Sequence, residues 1–218
     1  MTEKGVEEFL AEAVSSYRKL PKNISVGTSI EAISGRRVLP LDQGGEDKDL
    51  VARLCDAANL LVASSSELPI KTGRVNELGN NVEEPLLEAC KHVGLNATWP
   101  KRADGTGGRT GYPDIAIDID GPRPTYLEAK VIAKGTESST FRSFYLSPSD
   151  NPKVCVDARH LLLAFTHERR DNSEDGFEQY ALTNFKLVDL FKVVGKIKFE
   201  YQSNNKEMYL MGAVVASG

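Results

Sequence analysis

Apolar residues near the start of the chain recur every three or four places: Val6, Phe9, Leu10, Ala13, Val14, Tyr17 and Leu20. That spacing lines one face of a helix, and Pro21 closes the run because it cannot continue a helical ladder. A polar stretch rich in Gly and Ser follows, ending in Asp42-Gln43-Gly44-Gly45-Glu46, and reads as loop with at most a short strand. Asp47 stands in capping position before a second helical face of Leu50, Leu54, Ala57, Ala58 and Leu61. A third helix is predicted from Asn80 or Asn81 to Val93, with Val82, Leu86, Leu87, Cys90 and Val93 on one side. Pro85 then falls in its first turn and Gly94 at its stop.

At residue 112 the period shortens to two. Ile115, Ile117 and Ile119 alternate with Asp114, Ala116, Asp118 and Asp120, a turn follows at Gly121-Pro122-Arg123-Pro124, and Thr125–Ile132 alternates again. This pattern predicts a β-hairpin with one apolar face. Leu161-Leu162-Leu163-Ala164-Phe165 reads as a strand buried on both faces, entered from a helical Pro152–His160 segment. Phe177–Leu182 gives another strand, Asn184–Val193 a short helix, and Lys196–Tyr201 with Met208–Met211 a terminal hairpin around Ser203-Asn204-Asn205. The order predicts an α/β (α+β) fold, a mixed central β-sheet flanked by helices. Residues 1–68 would form a helical subregion packed on a core of residues 69–218, together one structural unit.

The chain has 218 residues, 40% hydrophobic and 27% charged, enough for a packed core and against disorder as the main state. No apolar run approaches the ~18–20 residues that span a bilayer, and the N-terminus does not begin as a signal peptide, so no membrane partner is expected. Cys55, Cys90 and Cys155 lie far apart without a CxxC pair, which argues against a disulfide framework or a thiolate zinc site. With 27 basic and 31 acidic residues the net charge is −4. A surface basic all over is excluded, whereas a local basic groove or an acidic metal-loaded site is not.

The informative chemistry lies in Tyr112-Pro113-Asp114, thirteen intervening residues, then Glu128-Ala129-Lys130. Glu128 and Lys130 stand two apart on one strand and share a face at ~7 Å. If the apolar faces of the hairpin coincide, Asp114 lies across from Glu128 or from Lys130, with Cβ atoms ~4.5–5.5 Å apart. Two carboxylates so close repel unless a cation lies between them, and hard oxygen ligands suit Mg²⁺. The carbonyl of Ala129 is a further candidate ligand. Lys130 could act as an ammonium that steadies developing charge, or as an amine that takes a proton from water.

Pro113-Asp114 followed by Glu128-x-Lys130, on adjacent strands behind a helix, resembles the PD-(D/E)xK nuclease superfamily. The lead-in Asn76-x-x-Gly79-Asn80 and the run Tyr126-Leu127-Glu128-Ala129-Lys130 further resemble small type II restriction endonucleases. The likeness covers roughly residues 76–166 and leaves the first ~65 residues unmatched. It implies a restriction endonuclease-like core and Mg²⁺-dependent, sequence-specific hydrolysis of double-stranded DNA, with Mn²⁺ able to substitute. By the same likeness Asp114 and Glu128 are metal ligands, Lys130 is the catalytic lysine, and Glu83 on the preceding helix assists, with Glu84 or Glu77 as substitutes. A homodimer reading a palindromic site, a cognate DNA methyltransferase and a bacterial or archaeal cytoplasm are implied as well. A repair or junction-resolving nuclease with the same core, and a catalytically inactive DNA-binding module, are the alternatives.

Contacts to DNA need donors near that centre. Arg109, Lys134, Ser139, Arg142 and Tyr145 are the candidates, with Arg142 the first choice for guanine readout. A solvent loop with aromatic anchors would leave the same pattern. The histidines His92, His160 and His167 lack HxH or HExxH spacing. The glycine-rich 105–111 segment lacks the Lys-Ser/Thr of a phosphate-cradling P-loop.

Overall fold

The computed structural model describes residues 3–74, 77–136, 138–139, 144–170 and 176–216. In chain order the elements are α1 (Glu3–Arg18), β1 (Ile24–Ser25), α2 (Val26–Ser34), α3 (Lys48–Glu67), β2 (Ile70–Thr72), α4 (Leu78–His92), β3 (Ala97–Thr98), β4 (Ile115–Ile117), β5 (Thr125–Ala133), β6 (Arg159–Arg169), β7 (Glu178–Asp189), a 3-10 turn (Leu190–Lys192), β8 (Val194–Gly195) and α5 (Asn205–Met208). They fall into two compact units, Ser25–Val194 and the two chain ends Met1–Ile24 with Gly195–Gly218.

The larger unit is built on a six-stranded mixed sheet in the order β2-β7-β6-β5-β4-β3. Only β5 and β6 pair in parallel; every other neighbour is antiparallel. The α3 and α4 helices supply one core, in which Leu54, Ala58, Leu61, Val82, Leu86 and Cys90 pack on Ile115, Ile117, Leu127, Leu161 and Leu163. A second core joins Val26 and Ile30 of α2 to Ala116, Tyr126, Val154 and Leu190. The hairpin is therefore covered on both sides, where one apolar face was expected. The alternation of Ile with small or polar residues misled because Ala116 and Tyr126 are themselves buried.

Several local expectations change. The polar 26–34 stretch is helical: the Ser25 hydroxyl accepts the Thr28 N–H, and Gly35 ends the helix at φ +67°. α4 begins at Leu78 rather than Asn80, so Pro85 lies inside it and leaves the Asn81 carbonyl without its helical donor. Residues 152–158 are not helical. The expected helix at 184–193 is instead the end of β7, up to Asp189, and then the 3-10 turn, because Phe185 and Leu187 pair with Phe165 and Leu163 of the central β6. Tertiary pairing outweighs local propensity there. In the unit of the chain ends α1 forms as expected, but no residue of it is buried. The terminal hairpin does not form; Asn204 and Glu207 instead make a reciprocal capping box that sets one helical turn at Asn205–Met208.

Candidate active site

The β4–β5 ladder pairs Ile115 with Leu127 and Ile117 with Thr125. Continued by one residue, it sets Asp114 opposite Glu128, one of the two registers expected from the alternation. A hydrogen bond fixes that placement: the Ala129 N–H donates to Asp114 Oδ2 at 2.9 Å. Lys130, on the same face of β5 as Glu128, forms an ion pair with Glu128 Oε1. β5 is buried from Thr125 to Ala129 and only half-buried from Lys130, so this constellation sits where the strand leaves the core.

Burial pushes the pKa of Glu128 up to about 7, and the negative charge of Asp114 adds to the rise, while Lys130 works against both. The second oxygen of Glu128, Oε2, is buried and receives no hydrogen bond among the described residues. A buried carboxylate oxygen without a donor, beside a second carboxylate, is a fitting ligand for a hard divalent cation. No group of three or more His, Cys, Asp or Glu side chains forms a ready-made metal cage among the described residues. A site for Mg²⁺, which keeps several waters and needs few protein oxygens, is compatible with that.

Glu83, on α4, is buried, and desolvation followed by the charge of Asp114 raises its pKa. Glu84 and Glu77, by contrast, are exposed. Arg109 links helix and loop: its guanidinium lies 4.5 Å from the Trp99 ring centroid, 3.6 Å from Glu83 and 3.4 Å from Glu84. Of the other expected DNA contacts, Lys134 is exposed and ion-paired with Glu168. Ser139 and Tyr145 are exposed too. Arg142 lies outside the described residues.

Three further residues support the site in ways the sequence reading did not assign: His160 and Lys153, which are buried, and Tyr112, which is partly buried. Tyr112 and His160 share a hydrogen bond of 2.6 Å between the phenol and Nδ1, and their rings stack. Burial drives the His160 pKa down to about 3, so the ring is neutral and holds Tyr112 beside Asp114. Lys153 is buried and spends its ammonium on backbone carbonyls of the 109–113 loop. No local pattern marks these residues, since their partners lie about forty positions away.

Residues 20–212 match the family model described as the type II restriction enzyme MjaV family. The type II restriction enzyme MjaV of Methanocaldococcus jannaschii is 32% identical over 231 residues, covering 99% of this chain and 97% of that protein. No solved structure matches the chain. The alignment with that relative runs through both units of the structure, the paired acidic strands included, and the chain belongs to the MjaV family of type II restriction enzymes, as a restriction endonuclease.

Proposed function

We propose that the chain cuts double-stranded DNA at a specific short sequence through a PD-(D/E)xK centre made of Asp114, Glu128 and Lys130, with Glu83 assisting. The observation that carries this reading is the β4–β5 register, which puts Asp114 opposite Glu128 with Lys130 paired beside them. Asp114, the free Oε2 of Glu128 and the Ala129 carbonyl would hold Mg²⁺, or Mn²⁺ in its place. When bound, such an ion supplies Lewis acidity, polarising a phosphate oxygen and making water more acidic.

The residues of the chain supply the rest. The Ala129 N–H fixes Asp114, and the buried walls of β5 keep Glu128 aimed at the same point. Lys130 carries a positive charge to the phosphate, offsetting the negative charge that builds on its non-bridging oxygens. The water oxygen bonds to phosphorus as the bond to the 3′ oxygen breaks, leaving a 5′-phosphate and a 3′-hydroxyl. Arg109, which pairs with Glu83, and the exposed Lys134, Ser139 and Tyr145 would contact the DNA backbone or base edges, and Arg142 is proposed on sequence alone.

One such centre per chain supports a homodimer, two copies cutting the two strands of a palindrome. A cognate methyltransferase would protect the host's own sites, with both enzymes acting in the cytoplasm. No helix among the described residues is long and apolar enough to cross a membrane. Digestion of unmethylated phage DNA with Mg²⁺ or Mn²⁺, followed by sequencing of the ends, tests the reading. Discrete fragments sharing one terminal sequence and abolished by EDTA are expected; no discrete cutting with either metal, or cutting indifferent to EDTA, would refute it.

A further inference from the structure

Lys153 is the only lysine or arginine in the buried class among the described residues, 3% exposed, and the chemistry above makes no use of it. An ammonium carries three hydrogens, and here three carbonyls take them: Gly111 at 2.6 Å, Pro113 at 2.9 Å and Arg109 at 3.4 Å. These alternate residues belong to the segment that delivers Asp114 to the sheet, upstream of the first β4 pair at Ile115. The Pro113 bond is buried and the other two partly so; a carbonyl withdrawn from water needs a donor, and where no strand supplies one the lysine does. Gly111, at φ +83°, gives the segment a bend that a regular ladder would not allow.

The residues before Lys153 continue the same attachment. The Pro152 carbonyl accepts the Ala103 N–H at 3.0 Å, Asn151 Oδ1 accepts the Asp104 N–H at 3.2 Å, and the Asn151 carbonyl accepts from Arg102 at 3.2 Å. The charge of Lys153 also bears on the acidic centre. Burial pushes its pKa down, while Asp114, Glu128 and Glu83 all favour the charged form. Yet no ion pair ties it to a carboxylate among the described residues, so it offsets their repulsion without occupying an oxygen that a metal would need.

We infer that Lys153 is a positioning residue for the cleavage reaction: anchored on the 109, 111 and 113 carbonyls, it sets the place of Asp114. The inference rests on the assignment of Asp114 to the reaction. Lys153→Met keeps the apolar stem and removes both donors and charge. On a duplex carrying the site mapped with the unaltered enzyme, kcat should fall about 100-fold in a variant that circular dichroism shows to be folded. KM, and DNA affinity measured in EDTA, should stay within about two-fold. In Lys153→Ala, added n-propylammonium, which replaces the lost stem and charge, should restore part of kcat, and n-propanol should not.

Asp114→Asn run in parallel separates the two claims. If Asp114→Asn is inactive while folded Lys153→Met retains full kcat, the inference is wrong and the reading of Asp114 stands. If Asp114→Asn cuts normally, that reading itself fails. A rate loss in Lys153→Met matched by an equal loss of DNA affinity would make Lys153 a DNA contact and overturn the inference. Should Lys153→Met not fold, Lys153→Gln returns a neutral donor and should fold with reduced kcat; failure of both to fold would assign the residue to stability alone.

Discussion

The Ala129 N–H donates to Oδ2 of Asp114, so the backbone of one hairpin strand holds the acidic side chain of the other. Asparagine at 114 retains an oxygen acceptor for that donor and loses the charge. Asp114→Asn should therefore melt within about 1 kcal/mol of the unaltered protein, since the hydrogen bond survives. Its cleavage rate should drop by about 1,000-fold, from the loss of electrostatic stabilisation and metal ligation. Thermal melts and single-turnover cleavage on one preparation check both halves.

The raised pKa of Glu128 carries a sign that can be measured without DNA. Folding lifts this carboxyl from its ordinary 4.5 to about 7, so the native state holds the proton more tightly than the unfolded chain does. The stability that this proton provides is present below pH 4.5 and is lost as pH rises through 7. Glu128→Gln escapes the loss and should gain on the unaltered protein by on the order of 3 kcal/mol across that window. Melting curves in EDTA between pH 4 and pH 8 give the difference. Mg²⁺ should raise the melting temperature of the unaltered protein more at pH 8 than at pH 5, because metal and proton compete for the same oxygens.

Asp47 tests the frame rather than the chemistry. It is fully buried and pairs with Arg159 at 2.7 Å and Arg123 at 2.6 Å, joining α3 to the hairpin turn and to β6. Burial alone would raise its pKa, but hydrogen bonds from Arg159, the Asp42 N–H and Arg123 hold it below the usual carboxylate range. Asp47→Ala leaves the largely buried Arg159 without this carboxylate and Arg123 with Glu46 alone, and should cost about 3 kcal/mol. Denaturant melts at pH 7 measure that cost. DNA affinity per folded molecule should be unchanged.

How much of this was legible in the sequence depends on where each residue finds its partners. The α3 and α4 faces, and the parity that left Asp114 opposite either Glu128 or Lys130, could be read because period and parity are local properties, preserved when the chain folds; choosing Glu128 took the folded ladder. Asp47 was legible only as a cap; its side chain makes no cap hydrogen bond and turns instead to arginines 76 and 112 residues away. The 184–189 segment alternates like either a helix edge or a strand until β6 is there to pair with it. At the site, Glu83 could not be told from Glu84 by spacing, because only packing buries one and exposes its neighbour. The roles of Lys153 and His160 were not legible, since both are buried by packing against residues distant in the chain.

Arg109 lies over Trp99, the single tryptophan of the chain, and bridges Glu83 and Glu84. A phosphate competes for the same guanidinium. Binding of a DNA duplex in EDTA should change Trp99 fluorescence in the unaltered protein and far less in Arg109→Ala. The variant should bind DNA more weakly, with the slope of log affinity against log salt reduced by about 1.

The central claim concerns Lys130 and the two carboxylates beside it, and single-turnover cleavage by Lys130→Met measures it most directly. With enzyme in excess over a duplex carrying the mapped site, and affinity for that duplex measured separately in EDTA, a folded variant should bind within about two-fold of the unaltered enzyme and cut about 1,000-fold more slowly. A folded Lys130→Met that cuts at the unaltered rate would contradict the account.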